Sequence, residues 1–598
     1  RRGSRGALYT QEWFAKGAPN GMRRIVVLAA LSALGLRAAA PAAALPGNYF
    51  EILQAGIAPV EQRFSQGSPG DLAALEKQPG WRHFPHAALV AAVLYAKQNP
   101  LNKRYRDPKM LALAGSIGDV AAASNAAGEF TERGDHHRDL YTWLEAYRLL
   151  EKELAPERRA AWRRELEKNL ELLAADIASR ADRAAYISPF IVTSPNHLSL
   201  WSSTLYLGGK VFANPRWVEL GGRVMHRFAA EEQAPDGYWG EHDITGPTTG
   251  YDYLTVTAVA LYAEHSKDPA ALAALRRSTT FHKHFTWPDG SPVETVNDRN
   301  RYWSEKAWGH FGFTHFPDGR RHAAFLTTRI AAGDSRHGME ELGRLAQNAL
   351  YYHSGPTAPI PQDMKTSVWR MKQVPAGMRK TGPWVVCLSG LIATPAAGNR
   401  FYLDRQGHVS VFHEKTGLIV TGANSKRQPE LATFWEKVQG QVYHLPQASR
   451  LRMAEAEDRL SLAYGTFFSD LHVPTPGDRE MTLNFRVTPK SRREEAFLNL
   501  QLVLAPGETL ETGAGKRFTI GAEKIDLAPA DLGGSIRHRG WTMKLHPAAR
   551  FSWPCFPHNP YGDKPEGNIR NAVATVSVPL LGDRPSEAQE ISFALRVE

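Results

Sequence analysis

The chain reads as a multidomain α+β protein, an N-terminal α/α toroid followed by a C-terminal antiparallel β-sandwich. Three observations predict this. Residues 48–355 carry successive segments with apolar residues three and four apart, with no strand-like run between them. After Pro356 the pattern changes to short β-branched or alternating runs separated by turn residues. The 598 residues are several times a common domain size of roughly 150, and a 43% hydrophobic content is enough to bury real cores. A disordered chain and a single small module are both excluded.

Residues 1–44 read as an upstream extension and a signal peptide. Residues 1–21 precede Met22 and show neither periodicity nor turn chemistry. Met22-Arg23-Arg24, the small and apolar run 25–36, and Ala42-Ala43-Ala44 follow the order of a secretory leader. That run is 12 residues long, whereas a membrane span needs about 20. A mature protein starting near Leu45 is therefore expected, periplasmic or secreted, with no integral membrane segment once the leader is removed. The formal charge of +11 includes +6 from residues 1–44, and the remaining basic residues are scattered rather than striped with aromatics. This argues against a nucleic-acid partner and leaves room for an acidic substrate.

Residues 45–355 form the expected toroid. Segments 87–97, 140–154, 157–179, 198–211, 216–231, 251–265 and 323–332 have helical spacing, separated by Pro, Gly and Asn-rich turns. About ten such helices without strands fit antiparallel pairs closing into a ring better than a four-helix bundle. No fixed-period repeat supports a solenoid. Residues 356–598 form the expected sandwich, with strand-like runs at 401–403, 408–413, 418–421, 460–464, 481–487, 498–504 and 572–578. The Pro- and Met-containing stretch 356–375 reads as the linker. Cys387 and Cys555 are the only cysteines; an oxidising compartment would permit their pairing, and two buried free thiols fit equally well.

Three motifs concentrate chemistry-bearing residues: Ser194-Pro195-Asn196-His197, Asp236-Gly237-Tyr238-Trp239-Gly240-Glu241 and Thr249-Gly250-Tyr251-Asp252-Tyr253. With this architecture they resemble the heparinase II/III-like polysaccharide lyases and the related toroid-type alginate lyases. Those families carry an Asn or Asn-His at the start of one toroid helix and a Tyr further along; here 55 positions separate Asn196 from Tyr251. The resemblance implies β-elimination on a uronate-containing polysaccharide, with no organic cofactor and no assigned metal ligand, a structural metal ion being left open.

The residue types suit that chemistry. Removing the proton α to a carboxyl group and expelling the 4-O substituent requires a carboxylate neutraliser, a base and an acid. Asn196 can donate to the carboxylate, and His197 or Tyr251 can take or return a proton. A helix N-cap is the structural alternative for Asn196, and core packing for His197 and Tyr251. Arg299 and Arg301, in the polar and aromatic block 287–303, are expected to grip the uronate, and Trp303 to stack on a sugar ring. Trp239, His242, Tyr253 and His136 complete the expected substrate contacts. His136 and His137 are adjacent, which is not a metal signature.

The resemblance also implies a histidine entering the cleft from the sandwich, His408. The family's His-x-x-Asp-type run before this strand is replaced by Tyr402-Leu403-Asp404-Arg405. Two other readings compete. A glycoside hydrolase on the same toroid would use two of Asp236, Glu241, Asp243, Asp252 and Asp298, roughly 6.5–9.5 Å apart if inverting. A non-catalytic glycan-binding protein would keep the aromatics and arginines without a base. Nucleophile elbows, phosphate loops and zinc helices are missing from the sequence.

Overall fold

The computed structural model describes residues 48–67, 83–128, 137–179, 195–240, 246–297, 308–332, 338–392, 403, 407–422, 425–559, 567–580 and 587–598. Among these, twelve helices precede the first strand: α1 Asn48–Ser65, α2 His86–Ala96, α3 Pro108–Ala126, α4 His137–Leu150, α5 Pro156–Ala178, α6 Pro195–Val211, α7 Pro215–Ala230, α8 Thr249–Ser266, α9 Pro269–His284, α10 His310–Phe313, α11 Pro317–Ala332 and α12 Met339–Tyr351. One short helix, α13 Pro529–Leu532, lies among the strands.

Helix starts follow local chemistry. Asp107, Asn214 and Asp268 each precede a proline and accept from a backbone amide in the first turn of α3, α7 and α9. Their side-chain oxygens satisfy a donor left orphaned at a helix start, and the proline fills a position that needs no N–H.

The even-numbered helices pack on one another in order, α2 on α4, then α6, α8, α10 and α12, and α12 packs back on α2. The odd-numbered helices from α1 to α11 do the same outside them. Burial matches this division. In α2 every residue from His86 to Tyr95 is buried. By contrast α7 buries only Trp217, Gly221, Val224, Met225, Phe228 and Ala229, the one-sided spacing of an outer helix. Gly221 is required where α7 meets α6, because a Cβ there would lie 2.7 Å from the Ser202 carbonyl oxygen and 2.8 Å from the Tyr206 nitrogen.

The C-terminal part holds two antiparallel sheets of eleven and nine strands. They share one apolar core, in which Val386, Val411 and Leu500 of the first sheet meet Leu460, Phe485 and Phe593 of the second. Strands Trp384–Ser389 and Val409–His413 are buried along their whole length. Alternate residues explain this: Val386 and Val411 face the inter-sheet core, while Val385, Cys387 and Phe412 face Phe285, Trp287, Val293 and Val296 from the helical part. Trp287 stacks on Phe412 at 5.6 Å.

Two expectations need correction here. The stretch 356–375 is not only a linker: Thr366–Arg370 forms the edge strand of the larger sheet, in register with Ala376–Thr381. Residues 287–297, the described part of the block whose structural alternative is a surface hairpin with solvated charges, are mostly buried. Glu294 accepts from Trp287 Nε1 (2.8 Å), Ser410 Oγ (2.7 Å) and Thr421 Oγ1 (2.9 Å), and Thr295 bonds Ser410. Satisfied by these donors, the carboxylate is held inside the contact between helices and strands. Cys387 and Cys555 are free thiols. No helix among the described residues is long and apolar enough to cross a membrane.

Candidate active site

Helix direction decides what meets at one end of the inner layer. α6 and α7 run antiparallel, with Gly209 against Val218 and Gly221 against Ser202 and Tyr206. α7 and α9 run parallel: His226 lies 2.8 Å from Asp268, and Gln233 bonds the Ala274 carbonyl and Ser278. α9 opposes α8, with His282 paired to Asp252 and Asp268, which precedes α9, bonded to Tyr262. α6 and α8 therefore run parallel.

Tyr206 and Tyr262 fix their register, with ring centroids 4.9 Å apart. Asn196 lies ten residues before the first and Tyr251 eleven before the second. At 1.5 Å per residue both sit about 15 Å further toward the helix starts, on neighbouring helices.

Asn196 occupies the second position of α6 and is buried at 1% exposure. It is thus inside the helix rather than its N-cap. His197 is half-buried and stacked on Trp201, with centroids 5.8 Å apart. Tyr251 is half-buried in the first turn of α8. Asp252 beside it is fully committed, accepting from the Trp239 amide at 2.8 Å and lying 2.7 Å from His282 Nε2. Burial pushes its carboxyl pKa up, against the opposing pull of His282.

The starts of the other inner helices bring residues the sequence reading did not select. His86 opens α2, and Asp139 and Tyr141 lie in the first two turns of α4. Asp139 lies 2.9 Å from His83 Nδ1 and 3.0 Å from His86 Nε2. Although burial raises it, these hydrogen bonds hold the Asp139 carboxyl well below the usual range, while burial lowers His86. Asp139 is thus a buried carboxylate shared by two imidazoles. Arg344 of α12 is 1% exposed, with its guanidinium 4.6 Å from the Tyr141 ring and 5.5 Å from Trp308. Its Nε and Nη1 are buried without a hydrogen-bond partner among the described residues. In sequence Arg344 stands four residues after Glu340, the spacing of an ordinary helix ion pair, and nothing local marks its burial.

Other expected site residues are placed differently. Trp239 is buried and donates to the Phe228 carbonyl at 2.8 Å. Tyr253 is buried with its ring 4.2 Å from that of His282. Tyr253 packs inside α8, which is enclosed on nearly every side, and Trp239 is held in the connection before it through its bonds to Phe228 and Asp252. His408 is also enclosed: its ring nitrogens lie 2.8 Å from the Ser389 carbonyl oxygen and 3.2 Å from the Tyr464 hydroxyl, inside the strand region. Burial with polar partners on both nitrogens corrects the expectation of a histidine reaching into a cleft. His136, His242, Arg299, Arg301 and Trp303 lie outside the described residues, as do Glu241, Asp243 and Asp298. In sequence they precede the starts of α4, α8 and α10.

No protein-family profile matches the chain, and no curated protein sequence does. Solved structures do resemble it. A chondroitin AC lyase from Streptomyces coelicolor superposes with a TM-score of 0.48 at 11% identity, over 92% of this chain and 79% of that one. A heparan sulfate lyase from Pedobacter heparinus gives 0.46 at 11% identity, over 86% and 75%. A heparinase III gives 0.46 at 10% identity, over 91% and 83%. By name, these neighbours are polysaccharide lyases.

Proposed function

We propose that the protein is an exported polysaccharide lyase, built on an α/α toroid, that cleaves a uronate-containing chain by β-elimination. The toroid reading is supported by the closing order of contacts in both helix layers. The lyase reading rests on one observation above the others: the shared level of Asn196 and Tyr251 on parallel neighbouring helices, with His197 beside the first.

In this reading Asn196 donates its amide to the uronate carboxyl group, where negative charge grows as the C5 proton leaves. His197 or Tyr251 takes that proton. The C4–O bond then breaks, a C4=C5 double bond forms, and the departing oxygen receives a proton from the second of the two. Arg344, buried without full hydrogen bonding, supplies positive charge on the same side of the inner layer. Arg299, Arg301 and Trp303 are proposed substrate contacts from the segment preceding α10.

The hydrolase reading fares less well among the described residues. Asp236 is occupied by the backbone amides of Lys372 and Gln373, at 2.5 and 2.9 Å, and Asp252 by Trp239 and His282. Neither is a free acid facing a bound sugar. Incubation with a panel of uronate polysaccharides, followed by ultraviolet detection of unsaturated ends, tests the proposal. Saturated products would replace it with hydrolysis, and no cleavage of any member would leave the binding-protein reading.

A further inference from the structure

A second constellation lies at the other end of the inner helices. Glu264 is in the last turn of α8, thirteen residues beyond Tyr251 and thus about 20 Å along the helix. His315 lies in the turn between α10 and α11, and His353 follows the end of α12. These three segments come together because α10 packs on both α8 and α12. The His353 amide donates to Thr314 Oγ1 at 3.0 Å, which ties the two histidine-bearing segments to each other.

Both imidazoles converge on one carboxylate oxygen. His353 Nε2 lies 2.6 Å from Glu264 Oε1, and His315 Nε2 lies 3.0 Å from the same atom. The ring centroids of His315 and His353 are 4.0 Å apart. His315 Nε2, although close to the oxygen, is not aligned to bond it, and this buried nitrogen has no hydrogen-bond partner among the described residues. A ring nitrogen that is shielded from water and misses the nearest acceptor is poorly served by an ion pair alone. The donor atoms of all three residues lie within 4.8 Å of one another. Bonds of about 2.0–2.2 Å to a central ion require such a spacing, and small rotations of the side chains open the space for it.

We propose that Glu264, His315 and His353 bind a divalent first-row transition metal, Zn2+ foremost, which clamps three consecutive segments of the inner layer together. Two imidazoles and a carboxylate form a borderline donor set that suits zinc and its neighbours and disfavours calcium or magnesium, which take oxygen ligands. Solvent reaches the site through His353, whose side chain is 37% exposed, so a water can complete the coordination. Lys267 Nζ, 3.7 Å from Glu264 Oε2, is the nearest competing cation and rides on an exposed side chain. The ion's role is structural, since the site is at the opposite end of α8 from Tyr251. The assignment of a structural role rests on the proposed place of the active site, whereas metal binding itself does not depend on the lyase proposal.

The test uses the full chain, stripped with a chelator and titrated with Co2+ and Zn2+ separately. One equivalent of Co2+ should bind with the visible absorption of a low-coordinate nitrogen and oxygen site, and Zn2+ should displace it and raise the melting temperature by several degrees. His353→Ala, at a partly exposed position, should weaken Zn2+ binding by ~100-fold or more, and Glu264→Gln should do the same. His226→Ala, which removes an exposed histidine elsewhere, should leave binding unchanged. Absence of saturable binding in the stripped protein would overturn the proposal. So would binding that survives both ligand variants, or a melting temperature that falls equally in His353→Ala with and without metal.

Discussion

Tyr251 and Asn196 occupy equivalent positions on adjacent helices yet should fail differently when altered. Tyr251→Phe keeps the ring and deletes the hydroxyl, so turnover should fall by about 100-fold or more with nearly unchanged substrate binding, as measured by steady-state kinetics. Asn196→Ala should lower turnover by a similar order, because it removes a donor aimed at developing charge. Because Asn196 is a buried polar side chain, the substitution should also cost about 1–3 kcal/mol in urea titration. Tyr253→Phe provides the contrast. Its ring packs on His282 in the core, and burial pushes the hydroxyl pKa up, so its loss should leave turnover near normal. Normal cleavage by Tyr251→Phe would remove the tyrosine from the mechanism.

At the scale of elements, the α6–α7 contact carries the geometry of the site. Gly221→Val would drive a side chain into the backbone of Ser202 and Tyr206, displacing the helix that bears Asn196. A loss of about 2–3 kcal/mol is expected in chemical denaturation, together with a fall in turnover, since overpacking against backbone has no flexible group to yield. A second element-level effect concerns acid. Asp318 in the first turn of α11 bonds Arg276 and Lys283. Burial raises its carboxyl pKa, but the hydrogen bonds from those two cations win and hold it well below the usual value. A depressed folded pKa means that the stabilisation is complete above the unfolded pKa of about 3.9 and is lost as pH falls through the lower folded value. Asp318→Asn should therefore cost about 1–2 kcal/mol at pH 7, with Arg276 discounted because it is half exposed, and the difference from wild type should shrink below about pH 3. A constant difference across that range would refute the assignment.

Over the whole molecule, the helical part is joined to the larger sheet by a polar centre inside an apolar contact. Glu294 gathers donors from Trp287, Ser410 and Thr421, and the Gly422 amide approaches at 3.3 Å. Glu294→Ala would strand all of them in a buried site. We expect about 3 kcal/mol or more of destabilisation and separate unfolding of the two parts in calorimetry, where the wild type should unfold more cooperatively. Retained cooperativity would show that the apolar cluster around Trp287 and Phe412 is sufficient by itself.

The sequence by itself determined the change from helices to strands, because periods of 3.6 and 2 are local properties of side-chain placement. It located most of α2, α4 to α8 and α11, but α3, an Ala- and Gly-rich helix, lacks a strong apolar contrast, and α1, α9 and α12 were not picked out. The Asp-Pro pairs at 107–108 and 268–269 were the overlooked signals for α3 and α9. Asn196, His197 and Tyr251 were legible because they share short motifs at helix starts. Tertiary structure alone decided that Asn196 and Tyr251 lie at one level, since this follows from the directions of α6, α7, α9 and α8 taken together. It also decided that Trp239, Tyr253 and His408 are enclosed and that Arg344 joins the starts of the inner helices. The physical reason is that burial and convergence depend on what the rest of the chain packs against a residue: Glu264, His315 and His353 span 89 positions, and only the fold makes them neighbours.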